Sequence, residues 1–301
     1  MQQFKIRSSK AIEILGDVNK PTAKQLQTID ELSNKDKLTD NQRVTLNELI
    51  AKRDAKPELS VGAKTHCKSW LKKQLEIYGR TRDFSNKYTE KGILAEPEAI
   101  QIVAKRQGYG TVSKNELSFE NEYITGTPDL ITTDWVDDIK NSWDTDTFPL
   151  FEPQLPDKDK KYEWQIRCYM ELTGKGNGAI NYCLIDAPEG LIAQQARKQS
   201  YLAGYEEENY EIYAECKQKL TYDDIPMDLR HRRYEFKHDP AAIRQLIEQV
   251  KLCRIYINNV LIPMVKTFRN IDYHELKKLQ QSEITPEDIA AFNDAAGMIR
   301  K

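Results

Sequence analysis

The spacing of apolar residues changes along the chain, and this change constrains the fold more than any other feature. Apolar residues recur at helical spacing over 22–54 and 60–107, in short alternating runs over 116–140, and again at helical spacing after 160. A strongly apolar run at 179–185 interrupts the later helices. Helices on both sides of a set of strands predict an α/β (α+β) fold, with a mixed central sheet of about five strands flanked by helices.

The same changes predict three regions. Residues 1–56 form an N-terminal segment with a helical hairpin at 22–54, residues 57–190 form the core, and residues 191–301 form a mainly helical extension packed on that core. Within these regions we predict helices over 60–78, 89–107, 162–173, 194–219 and 240–261, two short helices after 261, and strands over 116–119, 122–125, 128–132, 135–140, 179–185 and 234–237.

Composition excludes several classes of protein. No apolar run reaches the roughly 18 residues that a membrane span needs, and the N-terminus lacks the apolar core of a secretion signal. The five cysteines are odd in number and widely spaced, which predicts reduced thiols in a cytoplasmic protein and no cysteine-bound zinc or iron–sulfur cluster. Because the net charge is −2, nucleic acid would bind through a local basic patch.

The segment most informative about chemistry is 126–140. Side chains alternate along a strand, so Asp138 and Lys140 share one face while Ile139 points into the core. Asp129 lies on the neighbouring strand, and a short turn between the strands brings it close to Asp138. Asp137 is the alternative acid, although it faces the opposite side.

Two carboxylates placed together repel each other unless a cation lies between them. Ligands that are all oxygen atoms favour Mg²⁺ or Mn²⁺ over zinc or copper. Such an ion polarises a phosphoryl oxygen and activates water, and a neighbouring lysine orients or deprotonates that water. The pattern therefore indicates a metal-dependent enzyme that cuts phosphodiester bonds.

At this point a family resemblance can be stated. Pro128-Asp129, eight intervening residues and Asp138-Ile139-Lys140 resemble the PD-(D/E)xK nuclease motif. Upstream, Gly92, Glu96 and Ala99 resemble the Gly-x-x-x-Glu-x-x-Ala signature of its lambda-exonuclease-like and RecB-like branch. Downstream, Gln165 and Tyr169 resemble the Gln-x-x-x-Tyr helix of the same branch. The likeness is closer to YqaJ-type phage recombination exonucleases than to restriction enzymes.

The resemblance implies a restriction-endonuclease-like core and the roles of several residues. Glu96, Asp129 and Asp138 would bind one or two Mg²⁺ ions, with the Ile139 carbonyl as a further ligand. Glu98 is the rival of Glu96, although the spacing from the glycine favours Glu96. Lys140 would act on the attacking water, Gln165 and Tyr169 would support it, and Arg7, Ser8 and Ser9 would hold a terminal phosphate.

The resemblance also implies an activity and partners. We expect a Mg²⁺-dependent exonuclease that degrades the 5′ strand at the ends of linear double-stranded DNA, in phage-type recombination or repair. A single-strand annealing protein is an expected partner, and a ring-shaped trimer is an expected assembly. The branch includes a group with an iron–sulfur cluster, which we do not expect here because the cysteines lack the paired spacing.

Three alternatives stay open at this stage. The row Lys64, Lys68 and Lys72 either contacts DNA or forms an ordinary solvated helix face. Trp143 and Phe148 either stack on a base or pack onto the core. The whole chain is alternatively a DNA-binding or assembly module with little catalysis, or an endonuclease or single-strand nuclease.

Overall fold

The computed structural model describes residues 3–16, 21–75 and 86–267, and its contacts divide the chain into two compact units. The first unit takes its described residues from 3–6, 12–16, 21–75 and 244–267. The second takes them from 7–11 and 86–243. The predicted boundaries after residues 56 and 190 stay a prediction.

The helices of the described chain follow in order. They are α1 Ala23–Ser33, α2 Asp40–Asp54, α3 Val61–Gln74, α4 Lys87–Gln107, α5 Lys160–Thr173, α6 Glu189–Leu202, α7 Tyr210–Leu220, α8 Pro240–Tyr256 and α9 Ile262–Lys266. A π-helical turn, Ile257–Leu261, joins the last two, and short 3₁₀ helices cover Ser8–Ile14, Asp157–Asp159 and Met227–Leu229. None of the described helices is long and apolar enough to cross a membrane.

The strands form two sheets. They are β1 Ile6–Arg7, β2 Phe119–Glu120, β3 Ile124–Gly126, β4 Leu130–Ile131, β5 Trp135–Asn141, β6 Asn177–Cys183 and β7 His231–Lys237. The smaller sheet has the order β1-β3-β2, and the larger has the order β4-β5-β6-β7. Only β5 and β6 are parallel in the larger sheet, so α5 forms the crossover that two parallel strands require.

The first unit contains the predicted helical hairpin. Thr22 and Thr39 each begin a helix with a reciprocal capping box, which satisfies backbone donors that the first turn leaves free. Lys52 Nζ, on α2, donates to Gln25 Oε1, on α1, at 3.1 Å. Phe4 is fully buried in this unit, where its ring meets Trp70 edge to face.

The larger sheet is covered on both faces, and this explains its apolar sequence. On β6, Ile180 and Tyr182 pack on the side of Ile166 from α5. Cys183 packs on the opposite side, with Ala99 from α4. A strand buried on both faces reads as a continuous apolar run, which is why the 179–185 pattern predicted it.

The structure corrects some expected elements. The predicted single helix over 194–219 is wrong, because the chain breaks between α6 and α7. Gly204 adopts φ 89°, which ends the first helix, and Asn209 caps the second through its side chain. The described part of the larger sheet has four strands, where about five were expected. The two short helices predicted after 261 lie mostly outside the described residues.

Candidate active site

The two aspartates of the predicted motif meet because β4 is short. β4 pairs with only two residues of β5, and the last pair is Leu130 with Asp137. Extending this antiparallel register by one residue places Asp129 opposite Asp138. The backbone N–H of Ile139 donates to Asp129 Oδ2 at 2.7 Å. β4 no longer pairs with β5 at this point, and the Asp129 side chain accepts a hydrogen bond from the β5 backbone instead.

Asp138 is buried and only partly satisfied. Its side chain is 1% exposed, and its Oδ1 accepts a hydrogen bond from Gln165 Nε2 at 3.1 Å. The same amide nitrogen lies 2.8 Å from the Tyr169 hydroxyl, which ties the two α5 residues together. Oδ2 lies 2.7 Å from Lys140 Nζ in an ion pair and receives no hydrogen bond from any other described residue.

The surroundings of Asp129 alter its proton affinity. Burial, together with the charge of Asp138, raises the pKa of Asp129 to about 7. Lys140 and the Ile139 amide act in the opposite direction, but they do not cancel the effect. Near neutral pH the two carboxylates therefore favour a shared proton or a bound cation.

Glu96 brings a third carboxylate from α4. It ion-pairs with Lys114 at 2.5 Å. Burial raises the pKa of Glu96, and the neighbouring Asp129 contributes to the rise against the effect of Lys114. Pro97 follows directly within the helix, where its ring removes one backbone hydrogen bond. The rival acid, Glu98, is exposed and does not line the site cavity.

Lys140 is held in its charged form. Burial acts to lower its pKa, but Asp138 and Asp129 leave the pKa of Lys140 raised above the usual value. Its Nζ also lies 4.5 Å from the centre of the Tyr162 ring, a cation–π contact. A lysine that stays protonated orients water and offsets negative charge, whereas a deprotonated one would act as a base.

These groups open into one cavity of about 660 Å³. The lining residues come from α4, the residue before β4, β5 and the loop after it, α5 with the turn before it, and β6: Tyr88, Thr89, Gly92, Ile93, Glu96, Asp129, Asp138, Ile139, Lys140, Asn141, Ser142, Trp143, Thr147, Lys158, Asp159, Tyr162, Gln165 and Tyr182. Trp143 and Phe148 are each 7% exposed and belong to the core clusters, which favours packing over base stacking.

The donor set fits a hard divalent cation. Among the described residues, no group of three acidic, histidine or cysteine side chains is arranged to hold a metal ion. The buried Asp138 Oδ2 nevertheless has only Lys140 as a partner among those residues, and the pKa of the adjacent Asp129 is raised. A cation that prefers oxygen ligands, such as Mg²⁺, would give Oδ2 a further partner and would offset the repulsion between the two carboxylates.

Asp137 belongs to a different site on the opposite face of β5. It is 0% exposed and ion-pairs with Arg233 on β7. Asn181 Nδ2 donates to its Oδ1 at 2.7 Å, and the Tyr109 hydroxyl donates to its Oδ2 at 3.2 Å. Every oxygen of this carboxylate is thus satisfied by protein groups.

The N-terminal residues divide by exposure. Ser8 is fully buried, and its hydroxyl donates to the Thr125 carbonyl at 3.0 Å, so it supports β3 rather than facing solvent. Arg7 and Ser9 are exposed. Arg7 lies near enough to Tyr169 to act against the burial that raises the pKa of that hydroxyl. The predicted phosphate contacts stay a prediction, and Arg7 is the member best placed for one.

The lysine row lies on α3, in the other unit. Lys64 pairs with Glu58 at 2.7 Å, while Lys68 and Lys72 are exposed. Their predicted contact with DNA stays a prediction.

Sequence analysis missed two residues of the site. Tyr162 precedes Gln165 and Tyr169 at i, i+3 and i+7, so helical spacing could have placed all three on one face. Lys114 comes from the irregular segment between α4 and β2, where no periodicity indicates its direction. Its contact with Glu96 arises only from the tertiary fold.

Comparison with known proteins gives a shared fold. No protein-family model matches the chain, and no curated protein matches it in sequence. The fold is similar to that of a phage-related exonuclease from Haemophilus somnus 129PT, with 23% identity, a TM-score of 0.62, and coverage of 87% of this chain and 97% of that one. An alkaline exonuclease from Laribacter hongkongensis is 13% identical, with a TM-score of 0.46 and coverage of 87% and 92%. The first similarity confirms the expected nuclease-like α/β fold.

Proposed function

We propose that this chain is a metal-dependent deoxyribonuclease that hydrolyses phosphodiester bonds at the ends of linear double-stranded DNA. The observation that carries the proposal is the meeting of Asp129, Asp138 and Lys140 in one cavity. The fold shared with a phage-related exonuclease supports it. We extend the proposal to degradation of the 5′ strand in phage-type recombination or repair.

The metal site is part of this proposal. Asp129, Asp138, Glu96 and the Ile139 carbonyl would hold one or two Mg²⁺ ions, with Mn²⁺ as a substitute. When bound, such an ion supplies a Lewis acid for the phosphoryl group and lowers the pKa of water. Binding at Glu96 requires that Lys114 share or release that carboxylate, since the two groups are paired.

The residues around the carboxylates have distinct tasks. Lys140 remains protonated and would donate a hydrogen bond to the attacking water, while its charge offsets that of the phosphate in the transition state. Gln165 fixes the Asp138 carboxylate through a hydrogen bond to Oδ1, which leaves Oδ2 beside Lys140. Tyr169 holds the Gln165 amide in place.

Substrate binding would use positive charge outside the cavity. Arg7 and Ser9 are proposed to hold a terminal phosphate, with buried Ser8 fixing their segment against β3. Lys64, Lys68 and Lys72 are proposed to contact the DNA backbone. By the family resemblance we also propose a single-strand annealing partner and a ring-shaped trimer. The spacing of the cysteines leads us to propose a cytoplasmic location.

The test is digestion of linear duplex DNA labelled at the 5′ or the 3′ end, with Mg²⁺ or with EDTA. A closed circular plasmid is incubated in parallel. The variant Lys140→Ala removes the ammonium group that we propose acts on the attacking water. Lys198→Ala removes an exposed lysine of α6 and is the matched control. We expect metal-dependent loss of the 5′ label, an intact circle, and activity that Lys140→Ala abolishes and Lys198→Ala retains.

Other outcomes identify the alternatives. DNA that shifts on a gel but is not cut with Mg²⁺ or Mn²⁺ would show a binding module. Cleavage of the circle would show an endonuclease, and early loss of the 3′ label would reverse the polarity. Full activity of Lys140→Ala would contradict the assigned role of that lysine.

A further inference from the structure

The tip that joins α6 to α7 exposes an unusual number of large side chains. Tyr201 is 78% exposed, Leu202 is 74% exposed and Tyr210 is 81% exposed. Tyr205 between them is 49% exposed. Single exposed apolar residues are common, but a contiguous group on one tip marks an interaction surface. None of these residues lines the candidate active site.

The tip is built to hold its shape. The Tyr205 N–H donates to the Ser200 carbonyl at 3.0 Å, and the Asn209 N–H donates to Ser200 Oγ at 3.0 Å. Ser200, which accepts both bonds, is 1% exposed. The inner faces of the two helices pack through Ile192 and Cys216 with Trp143. A firm backbone lowers the entropic cost of binding at this tip.

Acidic groups frame the aromatic ones. A cavity of about 380 Å³ is lined by Tyr201, Tyr205, Arg197 and the three consecutive residues Glu206, Glu207 and Glu208. Arg197 pairs with Glu208 at 3.1 Å. Among the described residues, the Glu206 and Glu207 carboxylates make no hydrogen bond or ion pair. With Arg197 paired to Glu208, the cavity thus offers two tyrosine rings and a net negative charge from Glu206 and Glu207.

We infer that this surface, here called the α6–α7 tip, docks a basic segment of a partner protein. An arginine or lysine side chain would enter the cavity, stack on Tyr201 or Tyr205, and pair with Glu206 or Glu207. Tyrosine faces attract cations, and charge complementarity directs the approach. Leu202 and Tyr210 would contact apolar residues that flank the cation.

The charge of the tip excludes DNA as its occupant. The phosphate backbone is repelled by the same carboxylates that attract a cation. The inference therefore goes beyond the proposed nuclease function and does not depend on it. It predicts that the protein binds a basic protein segment at one place and DNA at another.

The test uses a fluorescent peptide of alternating arginine and leucine, with a glutamate–leucine peptide as its counterpart. Fluorescence anisotropy at moderate salt measures binding to the full-length chain. We expect the arginine peptide alone to bind, and Glu206→Lys combined with Glu207→Lys to weaken it about ten-fold or more. The control Asp223→Lys with Asp224→Lys makes the same charge change beyond the other end of α7, at exposed positions, and should bind normally.

A second pair of variants separates the rings from the charge. Tyr201→Ser with Tyr205→Ser keeps every carboxylate, and we expect about five-fold weaker binding. The control Phe151→Ser removes a ring that is 89% exposed elsewhere, with no expected effect. Circular dichroism confirms folding, and DNA digestion by all variants should match the wild type.

Three results would overturn the inference. Equal loss in both charge variants would show general attraction to an acidic protein. Full binding without the tyrosines would remove the cavity from the site. Sedimentation that shows self-association through the tip, lost in the tyrosine variant, would make a second copy the occupant.

Discussion

Two adjacent carboxylates on β5 are buried to the same degree and have opposite surroundings. Asp137 is bound by Arg233, Asn181 and Tyr109, so each oxygen has a partner. Asp138 receives one hydrogen bond, from Gln165, and its other oxygen meets only the ammonium of Lys140 among the described residues. One residue along a strand thus separates an acid bound by three structural partners from an acid that shares its surroundings with a lysine and a second carboxylate.

The difference separates a structural role from a chemical one. A buried charge that is fully paired joins distant parts of the chain, here β5 and β7. Two buried carboxylates that share a single lysine cost stability unless a proton or a cation offsets their second charge. We therefore place the chemistry at Asp138 and a structural role at Asp137.

The largest expected effect comes from exchanging each acid for its amide. Asp138→Asn should lower metal-dependent cleavage about 1,000-fold with little loss of stability, because it removes a ligand and relieves repulsion from Asp129. Asp137→Asn should keep most of the activity per folded molecule. Single-turnover cleavage at 25 °C, with circular dichroism to confirm folding, compares the two. Equal loss in both variants would end the distinction.

The second largest expected effect tests the ion pair between Asp137 and Arg233. Arg233→Ala leaves the Asp137 charge buried without its partner, which should cost about 3 kcal/mol of unfolding free energy. Urea unfolding measures it. Arg244→Ala is the control, since that residue is exposed. If Arg233→Ala is as stable as the control, the network does not hold the two strands.

A third variant, Gly126→Ala, disturbs the packing of Tyr169, which positions Gln165 against Asp138. A Cβ added at Gly126 would overlap the Ser8 hydroxyl and approach Tyr169 Cε1 to 2.7 Å. Gly126→Ala should cost about 2 kcal/mol and displace the Tyr169–Gln165 pair, so activity falls as well. Gly176→Ala meets nothing within 4 Å and serves as the control. Normal activity of a folded Gly126→Ala would contradict the supporting role.

The fourth prediction concerns pH. The pKa of Asp129 is about 7 in the folded chain and near 3.8 in the unfolded one, so the folded chain binds more protons between these values. This contribution to stability is present below about pH 4 and is lost as pH rises toward 7. Asp129→Asn should remove it, as measured by the difference in unfolding free energy at pH 5 and pH 8.

The same linkage predicts when a cation helps. Mg²⁺ should raise the melting temperature at pH 8 and have less effect at pH 5, because protons compete for the carboxylates. An equal rise at both pH values would argue against binding at this pair.

The smallest expected effect is at Tyr162, whose ring lies beside Lys140. Tyr162→Leu removes the ring 4.5 Å from Lys140 Nζ and should lower the cleavage rate about five-fold. Tyr162→Phe keeps the ring and should be near wild type. A matching loss in Tyr162→Phe would assign the effect to the hydroxyl.

The candidate site was predictable where short-range rules apply. Strand alternation placed Asp138 and Lys140 together, and the short turn brought Asp129 to them. The spacing from Gly92 in the resembled signature favoured Glu96 over Glu98, which the structure leaves exposed. These relations depend only on the geometry of one element or of two neighbouring elements.

Long-range relations could not be predicted in this way. Arg233 reaches Asp137 across 96 residues, through the order of strands in the sheet. Lys114 reaches Glu96 from an irregular segment. The break between α6 and α7 escaped because Gly204 and Asn209 interrupt an otherwise helical pattern. In each case a tertiary contact or a single cap overrides local periodicity.

The most direct test of the central claim is calorimetric titration of the folded chain with Mn²⁺ at pH 8, compared among wild type, Asp137→Asn and Asp138→Asn. We predict that wild type and Asp137→Asn bind the ion with similar affinity and that Asp138→Asn binds it at least about ten-fold more weakly. Unchanged binding by Asp138→Asn would contradict the assignment of Asp138 as the centre of the site. Loss of binding in a folded Asp137→Asn would contradict it as well.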